Sequence, residues 1–364
     1  MSANEGARES SKASPQVGGG RSVGTPRWVT VVTSWEMVLG MILVAIFILN
    51  TSISPYFLNA NNMLDATTSF LETATIALPM MLVIICADID ISVASIISLS
   101  SVFMGMGAQV WHLSLFWLPV IGIAVGLIAG LLNGIIITRL NIPSIAVTIG
   151  TMSLFRGISY VILGDQAYTK YPAAFEFFGQ GYIGSTHIPF ELLLFIVLAV
   201  LFGFLLHRTP FGRKVFTVGN NPVAARFSGV RVQNIRLAAF ALNGLMSGVA
   251  AVLLTSRIMS TRPNIADGWE LQIITAVVMG GVSILGGKGN IFGVILAIFS
   301  LGFLRYGMSL VNIPGTVMNI VTGFLLIFAI LLPGVLASAR RVLVVRSAHA
   351  RSMKDGDADS ERAG

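Results

Sequence analysis

Charge is what this chain has least of. Only 11% of its 364 residues are Asp, Glu, Lys or Arg, while 55% are hydrophobic. Soluble domains carry about 25% charged residues, so a surface this poor in charge excludes an ordinary water-exposed domain. Cysteine is almost as scarce. Cys86 stands alone, which excludes an intrachain disulfide and leaves a small buried apolar residue as its reading. The four histidines, His112, His187, His207 and His349, are scattered at the ends of apolar runs and in loops, with no metal-ligand spacing. There is no His-Glu-x-x-His and no cysteine cluster, so no metal, cofactor or catalytic constellation is expected. Gly286-Gly287-Lys288-Gly289-Asn290 has the glycines and lysine of a phosphate loop. It lacks the Ser or Thr after the lysine and the required spacing, so it reads as a tight turn, and no ATP site is found in the chain.

What is present is apolar sequence in long runs. The mean hydropathy is +0.84. Crossing about 30 Å of hydrocarbon takes about 20 apolar residues in a helix. Runs of that kind lie at about 35–53, 66–87, 91–110, 114–138, 143–163, 188–207, 237–256, 269–285, 290–310 and 314–334. The expected fold is therefore all-α, a polytopic membrane bundle of about ten transmembrane spans. The second and third runs are separated only by Asp88-Ile89-Asp90, and the eighth and ninth by the glycine turn, so each junction is a tight turn or a broken helix. Residues 1–34 and 336–364 read as polar cytoplasmic tails around a permease-like domain at 35–335, with no cleavable signal peptide at the start.

Basic residues orient the bundle. With the N-terminus inside, the 23 lysines and arginines all fall on the cytoplasmic side except Arg156, Lys170, Arg257, Arg262 and Arg305. Both ends are then cytoplasmic. The net charge of +7 follows from this loop bias and from contact with the lipid bilayer, and no nucleic-acid partner is expected.

Within the runs, Gly122, Gly126, Gly130 and Gly134 share one helix face, the device by which helices approach closely in lipid. Polar residues at membrane depth are costly and normally face a partner or water. Glu72, Asn133, Arg156, Asn243 and Asn319 are of this kind. Glu72 and Asp165 are both conceivable partners of Arg156, and the asparagines are expected to bond from helix to helix. Glu72, Asp90, Ser92, Arg156 and Asn243 are taken as candidates for a translocation path.

The longest internal basic segment is the loop at 208–236. Asn221 is a natural N-cap, Pro222 suits the first helical turn, Ala224-Ala225-Arg226 favours helix, and Gly229 is a stop. A helix of about seven residues is marginal alone in water, so it is expected to dock, either on anionic lipid or on a separate motor protein.

These residues also carry a likeness. Gly219-Asn220-Asn221-Pro222-x-Ala224-Ala225-Arg226-x-Ser228-Gly229 resembles the coupling segment of ribose-type importer permeases driven by ATP-binding cassettes. Ile89-Asp90-Ile91-Ser92-Val93-Ala94, Leu140 to Met152, Gly157 preceded by Phe155-Arg156, and Ile274-Thr275-Ala276 with Gly280-Gly281 leading to Gly286-Gly287-Lys288-Gly289 resemble the same family in the same order. The chain departs from it at Ala87-Asp88, where ribose permeases typically carry two glycines, and at Ala94. That departure and Leu163 to Tyr168 are similar to the rhamnose branch, with autoinducer-2 permeases close by. The resemblance implies import of a monosaccharide such as a rhamnose-like deoxyhexose across the inner membrane. It also implies a cytoplasmic ATP-binding subunit acting on Gly219 to Gly229, a second permease subunit in a homo- or heterodimer, and a periplasmic sugar-binding protein docking on 164–187 and 257–268. The rival reading is an ion-coupled secondary transporter, which needs an acid at mid-membrane, and Glu72 is its candidate.

Overall fold

A computed structural model describes residues 35–54 and 57–331. The expected tails at 1–34 and 336–364 lie outside the described residues. Among the described residues the regular structure is helical, apart from two isolated bridges, Tyr168 with Thr261 and Tyr182 with Pro189. In order, the helices used below are α1 (Trp35–Ile53), α2 (Ala60–Thr67), α3 (Leu71–Ile85), α4 (Val93–Gln109), α5 (Trp117–Arg139) and α6 (Ser144–Leu163). They are followed by α7 (Phe190–Arg208), α8 (Pro210–Asn220), α9 (Pro222–Phe227), α10 (Val232–Ile258), α11 (Trp269–Met279), α12 (Ile291–Leu310) and α13 (Gly315–Leu331).

Every apolar run of the sequence contains one of these helices. Six are long and apolar enough to cross a membrane: α1, α5, α6, α7, α10 and α12. The run at 66–87 differs from a simple span, because α2 and α3 meet at a 53° bend. α3 alone has 15 residues, which rise only about 22 Å, so it needs α2 to approach membrane thickness. α4, α11 and α13 are shorter apolar helices. The junction after α3 is a turn with Ala87 in the left-handed region at φ 63°. The junction after α11 is a turn with Gly286 and Gly287 at φ 83° and 71°. The tight-turn reading of the lysine-containing glycine stretch therefore holds.

Two helices make the centre. All 15 residues of α3 are buried, and α10 is the most deeply buried of the long helices. α10 crosses α5 along the glycine face. Its partners there are Gly244 and Gly248: a Cβ on Gly126 would lie 2.5 Å from the Gly244 carbonyl oxygen, and one on Gly130 would lie 2.7 Å from the Gly244 Cα. In lipid, where apolar burial drives little association, this backbone contact is what holds the pair. Helix ends follow the expected local chemistry. The Asn290 side chain caps α12 by accepting from the Phe292 amide at 3.2 Å. Thr209 caps α8 by accepting from Gly212, with Pro210 in the first turn.

Candidate functional site

The cytoplasmic end is defined by the basic loop. The expected short helix is there as α9, six residues long. Asn221 Oδ1 accepts from the amides of Val223 and Ala224, both at 3.0 Å. Pro222 opens the helix, and Gly229 ends it at φ 78°. It is joined through Asn221 to α8, an eleven-residue helix that completes a two-helix step. The nine residues expected to form the coupling surface separate into two groups. Gly219 and Ala225 are buried and structural, while Asn220, Asn221, Pro222, Ala224, Arg226, Ser228 and Gly229 are exposed. The most prominent groups were not singled out from the sequence. Val223 is 61% exposed and Phe227 90%, one helical turn apart on the same face. An apolar pair following a capped proline was the available signal.

The step is latched to the core. A Cβ on Gly219 would run into the Ile85 carbonyl oxygen at the end of α3. That same oxygen accepts from the Gly287 amide at 2.9 Å. Asn220 Nδ2 donates to the Phe216 carbonyl at 3.0 Å and reaches the Gly287 carbonyl at 3.5 Å. Three segments distant in sequence, ending at 85, 219 and 287, therefore meet backbone to backbone. Glycines stand where side chains would keep them apart.

Ion pairs tie α3 to α10 at both ends. Just past α3, Asp88 receives Arg236 Nε and Nη2 at 2.6 Å each, a bidentate pair. At the other end, Arg257 Nε donates to Glu72 Oε1 at 2.5 Å, with Glu72 fully buried. Arg236 and Arg257 lie about 32 Å apart along α10, close to the thickness of the hydrocarbon core. Glu191 at the start of α7 is buried within electrostatic reach of the second pair, and neither of its carboxyl oxygens has a hydrogen-bond partner.

Between these bolts lies a buried polar knot. Asp90 Oδ1 accepts from the Ser92 amide at 2.9 Å and its hydroxyl at 2.6 Å, and Asp90 Oδ2 accepts from Asn243 Nδ2 at 2.9 Å. Asn133 Nδ2 donates to Ser92 Oγ at 2.8 Å. Asp90, Ser92 and Asn243, three of the candidate path residues, thus come together, and Asn133 joins them from α5. Bonds from helix to helix are expected of the asparagines; Asn133 and Asn243 instead reach from their helices to the turn that joins α3 to α4, while Asn319 accepts from Arg305 at 3.3 Å. Glu72 and Arg156 lie elsewhere.

Arg156 pairs with neither acid considered for it. Glu72 is taken by Arg257. Arg156 Nη1 donates to the carbonyls of Pro263 at 2.7 Å and Ile265 at 2.8 Å, with exposed Asp267 at 3.9 Å. It therefore pins the outer loop between α10 and α11. Ser98 adds a bond to the Pro263 carbonyl at 2.8 Å. That loop pairs with the other outer loop through Tyr168 and Thr261, whose amides and carbonyls exchange bonds of 3.1 and 2.8 Å. Thr261 also meets Ser101 and Tyr171, and burial pushes the Tyr171 phenol above its usual range, which keeps it protonated in this contact.

The described residues thus form a capped two-helix step latched to a buried, ion-paired helix pair. Residues 62–330 match the family described as branched-chain amino acid transport system, permease component, and the chain belongs to that family. It is 34% identical over 306 residues to the autoinducer 2 import system permease protein LsrD of Klebsiella pneumoniae, covering 82% of this chain and 91% of that one. It is 35% identical over 303 residues to the protein of the same name from Yersinia enterocolitica, covering 81% and 90%. No solved structure matches the chain. The protein is a multi-pass inner-membrane permease component of an importer of the ATP-binding-cassette class.

Proposed function

We propose that the chain carries a small sugar inward, a rhamnose-like deoxyhexose or the autoinducer 2 named for its relatives, and that an ATP-binding subunit drives it by seating on residues 219–229. The observation that carries the coupling reading is the Val223–Phe227 knob. It stands on a capped helix that continues through Asn221 and Gly219 into contact with the end of α3. A large exposed phenyl at the tip of such a step fits a groove on a partner.

Force on α8 and α9 would reach Ile85 through Gly219 and Gly287. Because α3 is bolted to α10 at both membrane faces, the two helices move together, and the far end of α10 carries the outer loop at 259–268. A loaded binding protein on the loops at 164–187 and 257–268 would bias the same pair from outside. The coupling then follows from contacts that differ between two states. A second permease subunit would complete the path. The ion-coupled alternative is disfavoured by the placing of Glu72, which sits in an ion pair at the outer end of α3.

The test uses the whole importer in proteoliposomes. Phe227→Ser and Arg226→Glu are expected to lower both sugar uptake and binding-protein-stimulated ATP hydrolysis by about tenfold or more, about 1.4 kcal/mol of coupling or greater. Membrane insertion is expected to stay normal. Normal stimulation in both variants would show that the step lies on lipid and would remove the coupling reading.

A further inference from the structure

The outer loop that Arg156 pins does more than close the helix ends. Between the end of α10 and the start of α11 it leaves a cavity of about 380 Å3, open to the outer side. A second cavity of about 400 Å3 lies across the loop, and Arg262 and Asn264 line both. Ligand sites generally occupy about 300–1,000 Å3 and combine an aromatic or apolar wall with a few convergent polar groups. The first cavity has this make-up. Trp269 and the aliphatic end of α10 provide the apolar wall, and Arg257, Ser260, Arg262 and Asn264 bring polar atoms.

The hydrogen-bonding groups of the wall select the ligand class. Arg257 is neutralised by Glu72 behind it, and Arg262 faces a second cavity that Asp165 also lines. No carboxylate lines the first cavity. A solute with many hydroxyls meets donors on the arginines and both a donor and an acceptor on Asn264. Its less polar face can lie on the Trp269 indole, which offers a broad, rigid apolar surface. The walls are held firmly. Arg156 and Ser98 fix the Pro263 and Ile265 carbonyls, and Thr261 is fixed to Tyr168.

We propose that this cavity is a binding site in the permease itself for a polyhydroxylated solute at the outer mouth, with Trp269 as its apolar platform and Arg262 and Asn264 as its hydrogen-bonding wall. The proposal rests on the sugar reading given under Proposed function. It adds that selection continues after the binding protein has handed over its cargo. Arg156 is then a positioning residue, acting through the loop carbonyls.

The test is uptake by the whole importer in proteoliposomes, with labelled L-rhamnose and D-ribose each supplied at a level that saturates the binding protein. Trp269→Ala, which lies outside the loop at 257–268 given to the binding protein, is expected to lower saturated uptake about tenfold, while binding-protein-stimulated ATP hydrolysis stays normal. Trp269→Phe keeps an aromatic platform and is expected to lose less than about threefold, which separates a platform from a folding defect. Unchanged uptake in Trp269→Ala overturns the site. Uptake and stimulation falling together in this variant places the residue in the docking surface for the binding protein, and also overturns it. If the unaltered importer moves neither of these sugars nor labelled autoinducer 2 supplied in the same way, the small-sugar reading itself fails and the site falls with it.

Discussion

The crossing of α5 and α10 makes a prediction whose size can be worked out. Replace Gly126 by alanine. The new Cβ would lie 2.5 Å from the Gly244 carbonyl oxygen and 2.7 Å from the Gly248 Cα, where ordinary contact begins at 3.4 Å. The obstacle is backbone on both counts, so no rotamer change relieves it, and the helices must part by about 1 Å over the crossing, overpacking that typically costs about 1–3 kcal/mol. Against this, a helical Gly→Ala change gains about 0.5–1 kcal/mol in chain entropy. The net is a loss of about 1–2 kcal/mol. At Gly40 and Gly150 the same change meets nothing within 4 Å, so only the gain remains. Thermal melting in detergent, read by fluorescence-detected size exclusion, compares the three variants with the parent. Gly126→Ala is expected to melt several degrees lower, using about 2–4 °C per kcal/mol, and Gly40→Ala and Gly150→Ala slightly higher. If Gly126→Ala melts as high as Gly150→Ala, the glycine face is not what holds α5 to α10, and the reasoning fails.

Ala87→Gly is expected to raise the melting temperature, because Ala87 sits at φ 63°, a conformation that costs an L-residue about 1–2 kcal/mol and glycine little. A fall would mean that the Ala87 methyl packs usefully against Gly286. Arg257→Met leaves Glu72 buried without its counter-ion and is expected to cost about 3 kcal/mol, whereas Glu72→Met with Arg257→Met recovers most of that loss. The same melting assay reads both, and a double variant as unstable as the single one would remove the ion-pair account.

The cytoplasmic step was legible because its determinants are local. An Asn cap, a proline one residue on and a glycine stop can be read from Asn221, Pro222 and Gly229 without knowing what surrounds them. The ten apolar runs were legible for the same reason, since each is a property of adjacent residues. The glycine face of α5 was legible as a face, but its counterpart, Gly244 and Gly248, was not, because periodicity on one helix does not name the other. Partners were the illegible part. Arg156 was weighed against Glu72 and Asp165, yet it bonds two carbonyls of a loop more than a hundred residues away, and carbonyls have no signature in sequence. Glu72 pairs with Arg257 across the same kind of distance, as does Asp88 with Arg236. Ala87 shows the limit from the other side. Its departure from the glycine pair of ribose permeases is visible in sequence, but only the left-handed backbone explains why a glycine suits that position.

The two ion pairs also constrain how the coupling step can work. α3 is wholly buried and has no charged residue except Glu72, so it cannot slide along α10 without dragging a carboxylate out of its pair, which costs several kcal/mol at that depth. Asp88 imposes the same restraint at the cytoplasmic end through two charge-assisted bonds. Independent motion of the two helices is therefore the expensive route, and motion as one body the cheap one. The latch at Gly219 and Gly287 touches that body at Ile85, on its cytoplasmic end, while the loop pinned by Arg156 hangs from its other end. On the coupling reading proposed above, a displacement applied at the step would be delivered to the outer mouth by two helices that keep their mutual register, with the bends left to the Ala87 and Gly286–Gly287 turns, where the backbone is already in the left-handed region.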